Sequence, residues 1–150
     1  MSINTDRKEI RAVMDAIRQA HHDKNAARVI AQYEPEALIF DLAPPLDHRP
    51  NVDGLSAWFD TWQGPVEIEA HDFEITIDGD IAFGHGFYRT SATTRQGGEL
   101  AVFWSRATVC LKRTNGVWKI AHEHTSVPFY MDGSFRAAID LEPKSKEDAA

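Results

Sequence analysis

Apolar positions recur at helical spacing along the first third of the chain and at strand spacing along most of the rest. Ile10, Val13, Met14 and Ile17 fall on one helical face behind Thr5 and Asp6, and Glu9 follows Asp6 by three residues as in a capping box, which predicts a first helix. A shorter helix fits "NAARVIAQY", with Ala26, Val29, Ile30 and Tyr33 on one side and Pro35 ending it. "EALIFDL" reads as a short strand. "APPLDHRPNVDG" reads as a loop, because adjacent prolines have no N–H to donate and restrict the residue before them. A third helix fits "LSAWFDTWQ", where Leu55, Trp58, Phe59 and Trp62 make a buried face and Gly64-Pro65 stops it.

From Val66 the texture is that of strands: "VEIEAHDFEITI", "IAFGHGFYRTSATT", "LAVFWSRATVCLKR" and "VWKIAHEHTSV", separated by the turns "DGD", "RQGGE" and "TNG". Long strands joined by tight turns predict an antiparallel meander that twists and curls. The expected fold class is therefore α+β: a cone-shaped, curved antiparallel sheet wrapped around three N-terminal helices, with a cavity on its concave side. The 150 residues form one domain, with a core over about residues 5–130 and a partly flexible C-terminal extension over 131–150, polar and charged after Pro143.

Charge narrows the partners. Sixteen Lys and Arg stand against 23 Asp and Glu for a net charge of -7, and no basic stretch interleaves with aromatics, which argues against nucleic acid. The N-terminal "MSINTDRKEIRAVMDAIRQA" is charged from Asp6 onward and carries no apolar run of signal-peptide or membrane-span length, so the expected setting is cytoplasmic, with no membrane partner. The single cysteine, Cys110, allows no internal disulfide and reads as a small buried hydrophobe.

Candidate chemistry concentrates in "WKIAHEHTS". Period-two alternation groups Trp118, Ile120, His122, His124 and Ser126 on one face, and the large apolar pair makes that the expected inner face. Glu123 then points away, unless the strand bulges and turns it inward. On the preceding strand Trp104, Arg106, Thr108 and Cys110 form the corresponding set, so Arg106 shares the expected cavity. Phe103, Val109 and Leu111 are left facing outward, which predicts a homodimer through the outer face. His85, in phase with Phe83 and Phe87, is placed inward, its flanking glycines leaving room. Asp41, at a strand end on the cavity rim, reads equally as a turn-capping carboxylate or as an acid raised in pKa.

His-x-His on one strand face can chelate, but no second ligand pair stands at a recognisable spacing, and no metal is expected. No Gly-x-Ser-x-Gly elbow surrounds Ser126, which removes nucleophilic catalysis. Two readings stay open. In one, His122, His124 and Asp41 carry protons while Arg106 anchors an anionic oxygen. In the other, these groups merely satisfy one another in a wet cavity. Trp58 and Trp104 read as core or pocket wall, and as wall they favour a planar ligand.

"FDLAPPLDHRP", "RATVCLKRTNGVWKIAHEHTSVPF" and "YMDGSFRAAIDLEP", set in the order helix–helix–strand–helix–meander, resemble uncharacterised bacterial SnoaL-like or ketosteroid isomerase-like proteins of the nuclear transport factor 2-like superfamily. The resemblance covers nearly the whole chain. It implies a cystatin-like cone, a homodimer, and a pocket between sheet and helices that works without cofactor. The activities it implies are isomerisation, cyclisation or dehydration by proton transfer next to a carbonyl, or no turnover at all, as a binding or assembly module. The ligand expected is a small, mostly apolar molecule with a carbonyl or carboxylate, held by Arg106, His85, Trp104, Trp58, Tyr33 and Ser126.

Overall fold

A computed structural model describes residues 2–144. The elements run α1 (Ile3–His22), α2 (Ala26–Ile30), β1 (Tyr33–Phe40), α3 (Val52–Phe59), β2 (Trp62–Asp78), β3 (Ile81–Thr94), β4 (Leu100–Thr114) and β5 (Val117–Ser126). The five strands form one sheet in the order β1-β5-β4-β3-β2. The predicted meander is present, and its last turn places Asn115 and Gly116 at φ 52° and 80°, the left-handed pair that a tight hairpin requires. The sheet is not wholly antiparallel. β1 lies parallel to β5, with Leu38 opposite His122 and Phe40 opposite His124, because the long path through α3 and the meander brings β5 back in the direction of β1.

Several element ends differ from the sequence expectation for identifiable reasons. Ser2, not Thr5 or Asp6, caps α1, its hydroxyl accepting from the Thr5 N–H at 3.2 Å. Asp6 is buried and engaged elsewhere: Arg113 of β4 donates to it, donates also to Asp80 at 2.8 Å, and lies 5.0 Å over the Trp118 ring. α2 stops at Ile30, so Tyr33 opens β1 and Pro35 sits inside that strand, which a sheet edge tolerates. Trp62 likewise begins β2 instead of ending α3.

The core is formed by Ile10 and Val13 of α1, Val29 of α2, Phe59 of α3 and a row of strand residues that includes Val66, Val109, Leu111, Trp118 and Ile120. Which face of each strand joins it corrects the sequence reading. On β4, Ser105, Ala107, Val109 and Leu111 are buried, while Arg106, Thr108 and Lys112 are exposed. Val109 and Leu111 therefore pack against the helices, and Trp104, Arg106, Thr108 and Cys110 lie on the outer face. Phe103, paired with buried Thr90, also belongs to the inner set. On β3 the inner set is Ala82, Gly84, Gly86 and Tyr88, so Phe83, His85 and Phe87 turn outward.

After β5 the chain folds back on itself. Phe129 bridges to Ala137, Tyr130 N–H donates to Arg136 O at 2.8 Å, and Ala138 N–H donates to Pro128 O at 2.8 Å. Of the charged tail expected to fray after Pro143, residues 145–150 lie outside the described residues. Among the described residues, no helix is long and apolar enough to cross a membrane.

β2 slips register between His71 and Glu74, and the ring of Phe73 comes to lie beneath Gly86. A Cβ on Gly86 would stand 2.5 Å from Phe73 Cδ2 and 2.8 Å from the His71 carbonyl oxygen; one on Gly84 would meet Ile75 Cγ1 at 3.1 Å, a side-chain atom that can yield. Gly86→Ala should therefore cost about 1–3 kcal/mol, and Gly84→Ala clearly less. Chemical denaturation of both variants checks this, and equal losses would contradict the assigned packing of Phe73.

Candidate active site

β5 enters the core with Trp118 and Ile120, both buried. Beyond Ile120 its register with β4 slips: Leu111 opposes Ile120 and Cys110 opposes His122, which leaves Ala121 unpaired. A bulge of this kind restarts the alternation one residue out of step. Glu123, opposite buried Val109, consequently turns inward, and His122 and His124, opposite Cys110 and Thr108, turn outward. This reverses the expected assignment of all three residues.

Inside, Tyr33 Oη donates to Glu123 Oε1 at 2.7 Å and Tyr88 Oη donates to Glu123 Oε2 at 3.0 Å. β1, β3 and β5 thus each contribute one member of the cluster. The Tyr88 ring is fixed by stacking on Phe73, with centroids 5.4 Å apart and planes 22° apart. Desolvation raises the Glu123 carboxyl above the ordinary glutamate value; the hydrogen bonds from Tyr33 and Tyr88 pull it back down, Asp41 pushes it up and His122 lowers it. Burial, then the Glu123 charge, holds both phenols well above their ordinary value, so they remain hydroxyl donors through neutral pH.

Apolar side chains on α1 (Met14, Ile17), α3 (Leu55, Trp58) and β2 (Trp62, Ile68) are partly buried and pack against the core cluster that includes Tyr33. Trp58 meets Trp62 edge-on at 5.8 Å, and the Trp62 indole N–H is buried with no protein acceptor among the described residues. His21 completes this side: its Nδ1 lies 2.9 Å from Ile17 O, its ring stands edge-on to Phe59, and burial lowers its pKa below the ordinary imidazole value. The arrangement is a carboxyl of altered acidity, flanked by neutral donors, in apolar surroundings. Such a group exchanges protons with a bound molecule more readily than an ordinary exposed carboxylate does.

The residues singled out from sequence divide among different places. Tyr33 and Trp58 belong to the interior. Asp41 lies just past β1, half-exposed, 3.3 Å from His48 Nε2, and reaches Glu123 only through space. His122 Nδ1 stands 2.6 Å from Leu38 O, and its ring and that of His124 lie edge-on to Phe40 at 4.8 and 5.2 Å, on the outer face. His85, exposed and opposite Thr108, shares that face without joining them. Arg106, Trp104 and Ser126 do come together, but outside, bordering a pocket of about 150 Å³ under the C-terminal segment. A wider groove of about 720 Å³ runs past Phe40, Asp41 and His124 along the loop that carries Pro44 and Pro45. Neither cavity is formed by the Glu123 cluster. Glu123, Tyr88 and His21 were missed from sequence; alternation in β4 marks the inner phase, but nothing in β5 alone marks the bulge. Among the described residues no three His, Cys, Asp or Glu side chains converge as metal ligands.

The profile of the SnoaL-like domain family matches residues 10–130. No curated protein matches the sequence. Among solved structures, a nuclear transport factor 2-like protein of unknown function from Pseudomonas putida KT2440 is 26% identical, with 95% of this chain and 99% of that one covered and a TM-score of 0.79. A Streptomyces avermitilis protein of the same fold, named a "putative dehydratase", is 14% identical over 83% of this chain and 97% of its own, at a TM-score of 0.73. A nuclear transport factor 2-like protein with a cystatin-like fold from Novosphingobium aromaticivorans is 15% identical over 94% and 92%, at a TM-score of 0.66. The fold is therefore the nuclear transport factor 2-like, cystatin-like one.

The raised Glu123 pKa fixes a pH dependence of stability. A carboxyl that binds its proton more tightly when folded favours the folded state at pH values below its unfolded midpoint. That contribution is lost as pH rises from the unfolded midpoint toward the folded one. Glu123→Gln does not titrate, so its stability relative to wild type should improve across that window and level off above it. The gain is ~1.4 kcal/mol for every pH unit separating the two midpoints. Denaturation curves at a series of pH values test this, and a constant difference from pH 4 to 8 would contradict it.

Proposed function

The chain belongs to the SnoaL-like domain family, and on that premise we propose that its interior works without cofactor on a small, mostly apolar molecule, moving a proton next to a carbonyl group. The observation that supports this reading is the Glu123 carboxyl held between the Tyr33 and Tyr88 hydroxyls. When the side chains packed around the cluster part to admit a ligand carbonyl, one tyrosine turns its O–H from the carboxylate to the ligand oxygen. That step stabilises a developing enolate and also removes a hydrogen bond that had lowered the Glu123 pKa, so the freed carboxylate becomes the stronger base. The C–H bond next to the carbonyl breaks, its proton passes to Glu123, and return of that proton to another carbon isomerises the ligand. Delivery of the proton to a departing hydroxyl, released as water, would instead dehydrate it. Trp58 and Trp62, set edge-on to each other, supply an apolar corner whose ring faces can each take one side of a planar ligand. Arg106 lies outside this space and has no part in the reaction.

A binding module without turnover is the second reading, favoured by the fact that both Glu123 oxygens already have donors. Hydrogen–deuterium exchange of a panel of cyclic ketones separates the two. Wild type should exchange the protons next to the carbonyl, and Glu123→Gln should exchange them ~10²–10⁴-fold more slowly, with Tyr33→Phe and Tyr88→Phe also slowed. Exchange unchanged in Glu123→Gln would contradict the catalytic reading, and a panel bound but not exchanged would favour the module.

We further propose a cytoplasmic homodimer through the outer sheet face. That face exposes Phe83 (48%) and Val102 (41%), and the adjoining C-terminal segment exposes Phe129, Met131 and Phe135. Its charges suit a two-fold axis: Glu69 and Glu74 lie along the β2 edge and Lys112 nearer β5, so antiparallel docking sets acid over base. Sedimentation should give a dimer at micromolar concentration and a weaker one for Phe83→Asp. A monomeric wild type would contradict the assignment.

A further inference from the structure

The outer pocket brings together side chains that the interior reaction does not use. Phe87, Trp104, Arg106 and Ser126 line it from the sheet and Leu141 and Pro143 from the C-terminal segment, with Arg106 set between Phe87 and Ser126 by the strand register. Arg106 Nε donates to Ser126 Oγ at 3.1 Å, which fixes the plane of the guanidinium. Its two terminal nitrogens have no protein acceptor among the described residues, and these are the pair that binds a carboxylate side by side. The space is about 150 Å³, close to the volume that takes up benzene when opened in an apolar core. Glu142 also borders the pocket, which disfavours a ligand carrying a second negative charge.

We propose that this pocket is a second ligand site, separate from the interior, for a small aromatic monocarboxylate. The ring lies between Phe87 and Trp104 on one side and Leu141 and Pro143 on the other, and the carboxylate takes both terminal nitrogens of Arg106. The site stands whether or not the interior catalyses, because none of its residues belongs to the Glu123 cluster.

Benzoate is the probe, followed by ¹H–¹⁵N NMR of the full chain with the Trp104 indole and Ser126 amide as reporters. Both signals should shift saturably, with a midpoint in the roughly millimolar range expected for so small a ligand. Arg106→Gln should weaken binding at least about tenfold, and Arg106→Lys should recover only part of the loss because an ammonium cannot make the paired contact. Benzamide, of the same shape but neutral, should bind as poorly to wild type as benzoate does to Arg106→Gln. Leu141→Trp, which fills the pocket and leaves Arg106 in place, should abolish the shifts while the remaining spectrum is retained. The proposal is overturned if benzoate shifts Tyr33 and Tyr88 signals and not Trp104, if benzamide binds equally well, if Arg106→Gln binds as wild type does, or if no saturation occurs up to the solubility limit.

Discussion

Where Cys110 of β4 pairs with His122 and Leu111 with Ile120, Ala121 has no partner, and every residue of β5 beyond it changes face. The first half of the strand delivers Trp118 and Ile120 to the core; the second half delivers Glu123 to the same side. Without the extra residue the interior would receive two imidazoles and the carboxyl would face outward. The bulge therefore selects the chemistry of the concave side, and the other elements supply what an inward carboxyl needs.

What it needs follows from magnitudes. An unpaired carboxylate in a desolvated space costs several kcal/mol, while a hydrogen bond to a charged group contributes about 1.5–3 kcal/mol. One phenol would leave a large deficit; the two that Tyr33 and Tyr88 provide reduce it, and the remainder keeps the Glu123 pKa above its ordinary value. The tyrosines are held in turn by features remote from the carboxyl. Tyr33 opens an edge strand that runs parallel to β5, and Tyr88 stacks on a Phe73 ring that fits only because residue 86 has no side chain. At another part of the sheet, Arg113 joins Asp6 of α1 to Asp80 and covers Trp118, so helix and meander are tied together before the interior is considered.

Most of the architecture could be read from the sequence, because it rests on local signals. Period-two runs, turns such as "TNG" and helical spacing in α1 each carry their own information. The bounds of β3 were read to the residue, Ile81–Thr94. The facing of side chains was less legible. In β5 the alternation from Trp118 through Ser126 is interrupted by a bulge that leaves no mark in composition. In β4 both phases carry bulky apolar residues, and Trp104 outweighed the better signal, which is that Arg106 and Lys112 share a phase while Ala107, Val109 and Leu111 share the other. In β3 the small residues Ala82, Gly84 and Gly86 mark the inner, crowded face, while the bulky Phe83 and Phe87 face outward and mislead. Asp6 looked like a helix cap because its partner, Arg113, lies 107 positions away in sequence.

The chemistry of the interior depends on Glu123 being a desolvated, hydrogen-bonded carboxyl, and the most direct measurement is a ¹³C NMR titration of its side-chain carboxyl in wild type, Tyr33→Phe and Tyr88→Phe. The expected wild-type midpoint lies above the ordinary glutamate value of about 4.3, and each phenylalanine variant should move it higher still, since each removes a donor that favours the ionised form. A wild-type midpoint at or below the ordinary value, or one that neither tyrosine substitution moves, would contradict the inward placement of Glu123 and the reading built on it.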